Sequence, residues 1–331
     1  MRLKFMAGVV AAAVLAGLFV VHAQSMQRLN PMVALYEKGL PVFGVTHPAI
    51  TAGGRGNRGG APAENTTPPP QPVLADAVRD TLAYKLSDFE YNSYSPANAG
   101  RFKEYMEALI AAGGTMNGHP FLAKIPIVHT DPAVATARII EQLNAGHAGI
   151  IMQEVETAEE VRQAISAMRF KSKGGTRPDE GVALAAKYWK LSEAQYREKA
   201  DLWPLNKSGE LIMWAIIESK KGIANVREIA AVPGVMVLTV GAGTLGGVFS
   251  STNEKGERVR DQAAFDAGVA AVLAACKEFK TQCSYPANNP ADIERLMGMG
   301  FNTFTMQSRN QAAFDAVLAG RRISGRPTTE Q

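Results

Sequence analysis

Leu211-Ile212-Met213-Trp214-Ala215-Ile216-Ile217-Glu218 is seven consecutive apolar residues closed by a carboxylate, and Val235-Met236-Val237-Leu238-Thr239-Val240-Gly241 follows shortly downstream. A stretch that is apolar at successive positions is a strand buried on both faces, as parallel strands are. Working outward, similar runs occur at Leu40–Thr46, Leu86–Tyr91, Ile125–Thr130, Ala148–Val155, Gln282–Pro286 and Asn302–Gln307. Between them lie amphipathic stretches with helix signals. Asp131-Pro132 and Asn289-Pro290 each put a capping side chain before a proline, Thr157 with Glu160 and Ser192 with Gln195 have capping-box spacing, and Gly146 and Gly300 stand where helices hand over to strands. Eight strands alternating with helices predict a (β/α)8 TIM barrel, an α/β fold of about 250 residues. A doubly wound open sheet is the alternative.

The ends of the chain fit that size. Arg2 and Lys4 precede an apolar run from Met6 to Val21, and Val21-His22-Ala23 has small residues at the first and third positions. This is the layout of a secretory signal peptide over residues 1–23, with an uncleaved anchor as the alternative. Residues 24–331 are then a single domain, placed in the periplasm or secreted, with no membrane span after signal cleavage. Loss of Arg2 and Lys4 takes the formal charge from +4 to +2. That small surplus, with no basic stripe, excludes a nucleic-acid partner. Thr51–Pro72 is rich in Gly, Pro and Asn and is expected to be a flexible insertion. Cys276 and Cys283 are read as two buried thiols rather than a pair, since spacing alone does not give bridging geometry.

A barrel collects its chemistry at the C-terminal ends of its strands. The polar residues there are Thr46 and His47, Glu90 and Tyr91, His129, Gln153 and Glu154, Glu218, Gly241 to Thr244, Tyr285 and Asn288, and Gln307 and Ser308. Glu218 and Glu154 are candidate ligands of a hard divalent cation. His129 is a candidate base, electrophile or ligand. Gly241-Ala242-Gly243-Thr244-Leu245-Gly246 spells GxGxxG, but no helical period follows and no acidic ribose partner is present, which argues against a dinucleotide site. A glycine-rich loop whose backbone N–H groups face an anion is expected instead.

In this order and spacing the residues resemble the HpcH/HpaI aldolase family of the phosphoenolpyruvate/pyruvate barrel superfamily. The likeness begins at Asn30-Pro31 with Leu35, Gly39 and Phe43-Gly44. It continues through Ala148–Ile151 and Val155–Glu159, then Gly175-Thr176-Arg177 and Tyr196. It is strongest from Ile217-Glu218 through Ile223–Asn225, Glu228-Ile229 and Pro233–Val235 to Gly241–Leu245. The resemblance implies a divalent-metal-dependent carbon–carbon lyase acting next to a pyruvate-like enolate, with Mg2+ or Mn2+ as Lewis acid. It also implies a small carboxylate substrate and a homo-oligomer. Carried over residue by residue, it keeps the metal-binding Glu at Glu218 and puts Thr244 where the family has a second acidic ligand. Tyr91 falls at the family's His, His129 at the Arg that ends the third strand, and Asn144 at an Asp.

The expectation is therefore a carbon–carbon lyase with a rebuilt site. In it His129 and Tyr91 are catalytic, Gly241, Ala242, Thr244 and Arg177 bind substrate, and Glu218 with Glu154 holds the metal. The alternative is a non-catalytic or non-aldol extracytoplasmic barrel that binds a small carboxylate.

Overall fold

A computed structural model describes residues 27–50, 71–93 and 99–329. The signal segment 1–23 and all but the last two residues of the Thr51–Pro72 insertion lie outside the described residues. Along the chain, α1 (Pro31–Glu37) leads into β1 (Val42–Thr46), α2 (Leu74–Ala83) into β2 (Phe89–Ser93), and α3 (Ala99–Ala111) into β3 (Phe121–Lys124). After α4 (Pro132–Asn144) and β4 (Gly149–Met152), the helices α5 (Ala158–Met168), α6 (Ala183–Tyr188) and α7 (Glu193–Lys199) precede β5 (Ile212–Ile217). The short α8 (Lys220–Ala224) and α9 (Val226–Ala230) lead to β6 (Val235–Val240). Next come α10 (Ala242–Val248), a hairpin of β7 (Ser250–Thr252) and β8 (Arg258–Arg260), and α11 (Gln262–Phe279). The chain then runs through β9 (Gln282–Ala287), α12 (Pro290–Met299), β10 (Thr303–Met306) and α13 (Gln311–Ile323).

Eight of these strands close into a barrel in the order β1-β10-β9-β6-β5-β4-β3-β2. Every neighbouring pair is parallel. The expected (β/α)8 barrel is the fold. The barrel interior is apolar: Phe89, Tyr91, Leu122, Ile151, Trp214, Ile216 and Val237 pack there with Met32, Val33 and Tyr36 of α1. The α1 residues meet Val42 and Ile212, which begin their strands, so this helix closes the N-terminal mouth. The larger core lies between strands and helices.

The capping signals act as read. Asp131, Thr157, Ser192 and Asn289 each accept a backbone N–H of their helix, and Ser192 with Gln195 completes a reciprocal box. Gly300 caps α12 in the left-handed conformation, φ 103°. Three expectations are corrected. The third strand is Phe121–Lys124, not Ile125–Thr130. The run Ile125-Pro126-Ile127-Val128 is apolar, but Pro126 has no N–H for a central ladder, and the chain leaves the sheet there. A helix does begin after Gly241: α10 is held by buried Leu245 and Gly246 despite the poor helix propensity of its glycines. Finally, Cys276 and Cys283 form a disulfide. Lys280 ends α11 in the left-handed conformation and turns the chain straight back into β9, which brings the two Cα atoms to 5.7 Å.

Candidate active site

The C-terminal ends of β3, β4, β5, β6, β9 and β10 surround a cavity of about 260 Å3. Its charged lining side chains are Lys124, the last residue of β3, and Glu218, the first residue after β5. Gln153, Thr239, Thr305 and Gln307 add polar atoms, and Ile151, Trp214, Ile216 and Pro286 make an apolar floor and wall. Gly241, Ala242, Gly243 and Thr244 form the remaining side. The first-turn N–H groups of a helix lack intrahelical partners. Ala242 and Gly243 therefore bring two such donors to the cavity wall.

Glu218 is only 7% exposed. Its Oε1 accepts the backbone N–H of Glu154 at 3.1 Å. Glu154 is in the left-handed region, φ 49°, a conformation a non-glycine residue adopts only when its surroundings impose it. On its other side Glu218 rests against Gly241. A Cβ on residue 241 would stand 2.4 Å from Glu218 Cβ and 2.8 Å from its Oε2, so the carboxylate occupies space that only glycine leaves open. Lys124 Nζ lies over the Tyr91 ring, 5.3 Å from its centre, a cation–π contact that steadies the ammonium. Gln153 Nε2 donates to the Ile125 carbonyl at 2.7 Å, and the Trp214 indole N–H donates to Thr239 Oγ1.

Of the residues expected from sequence, Glu218, Gly241, Ala242 and Thr244 come together around this cavity. The others do not. His129 sits in the turn beyond β3 with its side chain 36% exposed, Nδ1 3.4 Å from Glu160. The correction follows from the strand register: β3 ends five residues earlier, so the cation at its end is Lys124. Tyr91 points into the barrel below the cavity, and its hydroxyl donates to the Met306 carbonyl at 3.1 Å. It positions Lys124 rather than lining the cavity. Glu154 contributes its backbone to Glu218, while its side chain is not part of the lining.

Arg177 is fully buried far from the strand ends. Its Nε donates to Asn144 Oδ1 at 3.0 Å and its Nη2 to the Tyr196 hydroxyl at 2.9 Å, with Phe170 beneath the guanidinium at 4.3 Å. It ties α4 to the excursion before β5 and is not among the residues that line the cavity. Asn144, at the C-terminus of α4, belongs to the same tie and lies at the opposite mouth of the barrel.

Sequence reasoning missed Lys124, Thr239 and Thr305. Lys124 carried a usable signal, since Phe121-Leu122-Ala123-Lys124 is a short apolar run closed by a charge just before a proline-interrupted segment.

Two strand-end residues that looked functional are buried outside the barrel. Glu90 is 1% exposed between β2, α2 and α3, 3.2 Å from Arg309 and within reach of Thr81. Burial pushes its carboxyl up to about 7 although Arg309 pulls the other way. His47 packs among Phe102, Tyr105 and Phe121, and burial pushes it down to about 3. Among the described residues no group of three or more His, Cys, Asp or Glu is placed to share a metal ion, and no helix is long and apolar enough to cross a membrane.

A family model for HpcH/HpaI aldolase/citrate lyase matches residues 123–303. A hydroxypyruvate/pyruvate aldolase of Paraburkholderia phytofirmans is 27% identical over 176 residues, 52% of this chain and 61% of that protein. A 2-dehydro-3,6-dideoxy-6-sulfogluconate aldolase of Pseudomonas putida is 37% identical over 108 residues, 32% of this chain and 38% of that one. The matched segment thus spans less than two thirds of either curated relative. Among solved structures, an HpcH/HpaI aldolase/citrate lyase family protein from Burkholderia cenocepacia superposes with TM-score 0.58 at 19% identity, covering 81% of this chain and 88% of that one. An HpcH/HpaI aldolase from Desulfitobacterium hafniense gives 0.58 at 16% identity, covering 84% and 90%. These structures share the barrel, and the family model covers more than half of the sequence: the chain belongs to the HpcH/HpaI aldolase/citrate lyase family.

Proposed function

We propose that the protein is a carbon–carbon lyase that acts on a small 2-oxo acid or related carboxylate. The observation that carries this is the pairing of Lys124 and Glu218 across one cavity beside the Gly241–Thr244 backbone. The Lys124 ammonium holds an anionic oxygen of the ligand, either its carboxylate or the oxygen that becomes negative as the carbon–carbon bond breaks. The Ala242 and Gly243 N–H groups donate to the ligand carboxylate. The apolar floor of Ile151, Trp214 and Ile216 excludes water, which strengthens both interactions.

Among the described residues Glu218 is the carboxylate in the cavity lining, and Thr244, Thr305, Gln153 and Gln307 add neutral oxygens. Mg2+ is commonly held through one or two carboxylates, with water and substrate completing its shell. This all-oxygen donor set fits Mg2+ or Mn2+ at that minimum, with Glu218 as its anchor. Bound there, the cation supplies Lewis-acid charge to the ligand oxygens. Among the described residues no imidazole lines the cavity, and the charged side chains in its lining are Lys124 and Glu218. The reading also places the mature protein outside the cytoplasm, supported by the signal pattern of residues 1–23 and by the Cys276–Cys283 bridge, which suits an oxidising compartment.

The test does not need the natural substrate. In D2O, a site that forms an enolate from pyruvate exchanges the methyl protons, which proton NMR follows directly. Exchange that depends on Mg2+ and disappears in Glu218→Gln is the expected result. Pyruvate that saturates the protein without any exchange would overturn the lyase reading in favour of a carboxylate-binding barrel.

A further inference from the structure

The hairpin β7–β8 lies in the connection after β6, on the same face of the barrel as the cavity. Arg258 and Arg260 are two apart on β8, so both side chains leave the same face of the ribbon. That face is turned onto α10. Arg258 Nη2 donates to the Gly247 carbonyl at 3.0 Å. The Arg260 guanidinium lies over the Phe265 ring, 5.0 Å from its centre. A Cβ on Gly246 would come within 2.8 Å of Arg260 Nη2, and one on Gly247 within 2.9 Å of Arg258 Nη2. The two glycines therefore allow both guanidinium groups to lie directly on the helix.

The result is a groove of about 730 Å3, lined by Gly243, Thr244, Gly246, Gly247, Val248 and Ser250 together with the two arginines. Gly243 and Thr244 also line the cavity, so groove and cavity share a wall. Among the described residues neither arginine has an acidic side chain within ion-pair distance. Planar guanidinium forks match phosphate, sulfonate and carboxylate oxygens two at a time.

We propose that Arg258 and Arg260 form a second oxyanion subsite, and that the substrate carries an anionic group at the end remote from its 2-oxo acid. In the condensation direction this end belongs to the aldehyde partner, which would be an aldehyde bearing a phosphate, sulfonate or carboxylate. The substrate assignment rests on the lyase reading above; the subsite rests on the groove and its charges.

Two probes separate these layers. Inorganic phosphate reports the arginine groove and oxalate, an analogue of the pyruvate enolate, reports the cavity. Both are titrated calorimetrically into the full chain at constant ionic strength. Saturable phosphate binding is expected, weakened about tenfold or more in Arg258→Ala/Arg260→Ala, with oxalate affinity unchanged within about twofold. Both arginines are exposed on a surface hairpin, so this variant keeps the barrel core intact. Arg258→Lys/Arg260→Lys, which keeps charge but not the fork, should recover part of the loss. Condensation of pyruvate with glyceraldehyde 3-phosphate should exceed that with glyceraldehyde in kcat/KM by about tenfold or more, and the preference should vanish in the alanine variant. Phosphate affinity that is absent, or indifferent to both arginines, overturns the subsite. Arginine-dependent phosphate binding with no pyruvate exchange upholds the subsite and removes the lyase reading alone.

Discussion

Replacing Gly241 by Ala adds one methyl group where β6 meets Glu218, and its effect follows from opposing quantities. Gly241 has φ −74° and ψ 62°, so its backbone does not require glycine. Restricting the unfolded chain would by itself favour the folded state by about 0.4–1 kcal/mol. Against this, the new Cβ would lie 2.4 Å from Glu218 Cβ, 2.8 Å from Glu218 Oε2 and 2.9 Å from Ile216 Cγ2. Non-bonded carbons settle at roughly 3.5–4.0 Å, so Glu218 must retreat by about 1 Å or more. Overpacking of this kind costs about 1–3 kcal/mol, which outweighs the gain. The net expectation is a loss on the order of 1–2 kcal/mol, with Tm lower by a few degrees. The displacement should also break the Glu154 N–H contact to Glu218 and weaken Mn2+ binding about tenfold or more. Urea denaturation gives the stability, and electron paramagnetic resonance of free Mn2+ gives the affinity. Gly243→Ala is the control: a Cβ there meets nothing within 4 Å, so Ala should stabilise the short helix by up to about 1 kcal/mol. If Gly241→Ala proves as stable as wild type and holds Mn2+ equally well, the steric account of Glu218 is wrong.

Lys124→Met should weaken oxalate binding about tenfold or more, since it removes the basic side chain that the described residues bring to the cavity, whereas His129→Ala should leave it within about twofold; calorimetry distinguishes the two. Glu90 is raised to about 7 in the folded protein against 4.5 for the free group, so the native state holds the extra proton and the stability this contributes is lost as pH rises between those values. Glu90→Gln does not titrate, so its stability relative to wild type should rise over that window by up to about 3 kcal/mol; buried His47 and His147, lowered to about 3 and 4, slope the other way in both proteins and cancel in the difference. Reduction of Cys276–Cys283, which closes a loop with a sequence separation of 7, should cost about 2 kcal/mol in urea titrations, with no effect of reductant on Cys276→Ser/Cys283→Ser.

The fold was legible because its signal is redundant. Apolar runs such as Ile212–Ile217, with capped helices between them, each point to parallel strands, and an error in one run leaves the barrel standing. The site carries no such redundancy. Which residue ends a strand decides which one faces the ligand, and the apolar Ile125–Val128 stretch hid the end at Lys124 until Pro126 is weighed as a residue without a ladder N–H. Parity adds a second ambiguity. Glu90 and Tyr91 are adjacent on β2, and alternation sends one into the barrel and the other between sheet and helices. Phe89 meets Trp214 inside, so Tyr91 turns inward with it and Glu90 outward toward Arg309. Nothing in the local sequence states that phase. A carboxylate at a strand end with a raised pKa has the signature of a functional group, yet in Glu90 burial alone produces it, on the side of the sheet away from the cavity. Glu218 is the reverse case: no phase is needed because it follows the strand, and the neighbouring strand supplies Gly241 to make room for it. The legible site residues are therefore those fixed by a strand's end and a glycine beside it, and the hidden ones are those whose direction depends on register.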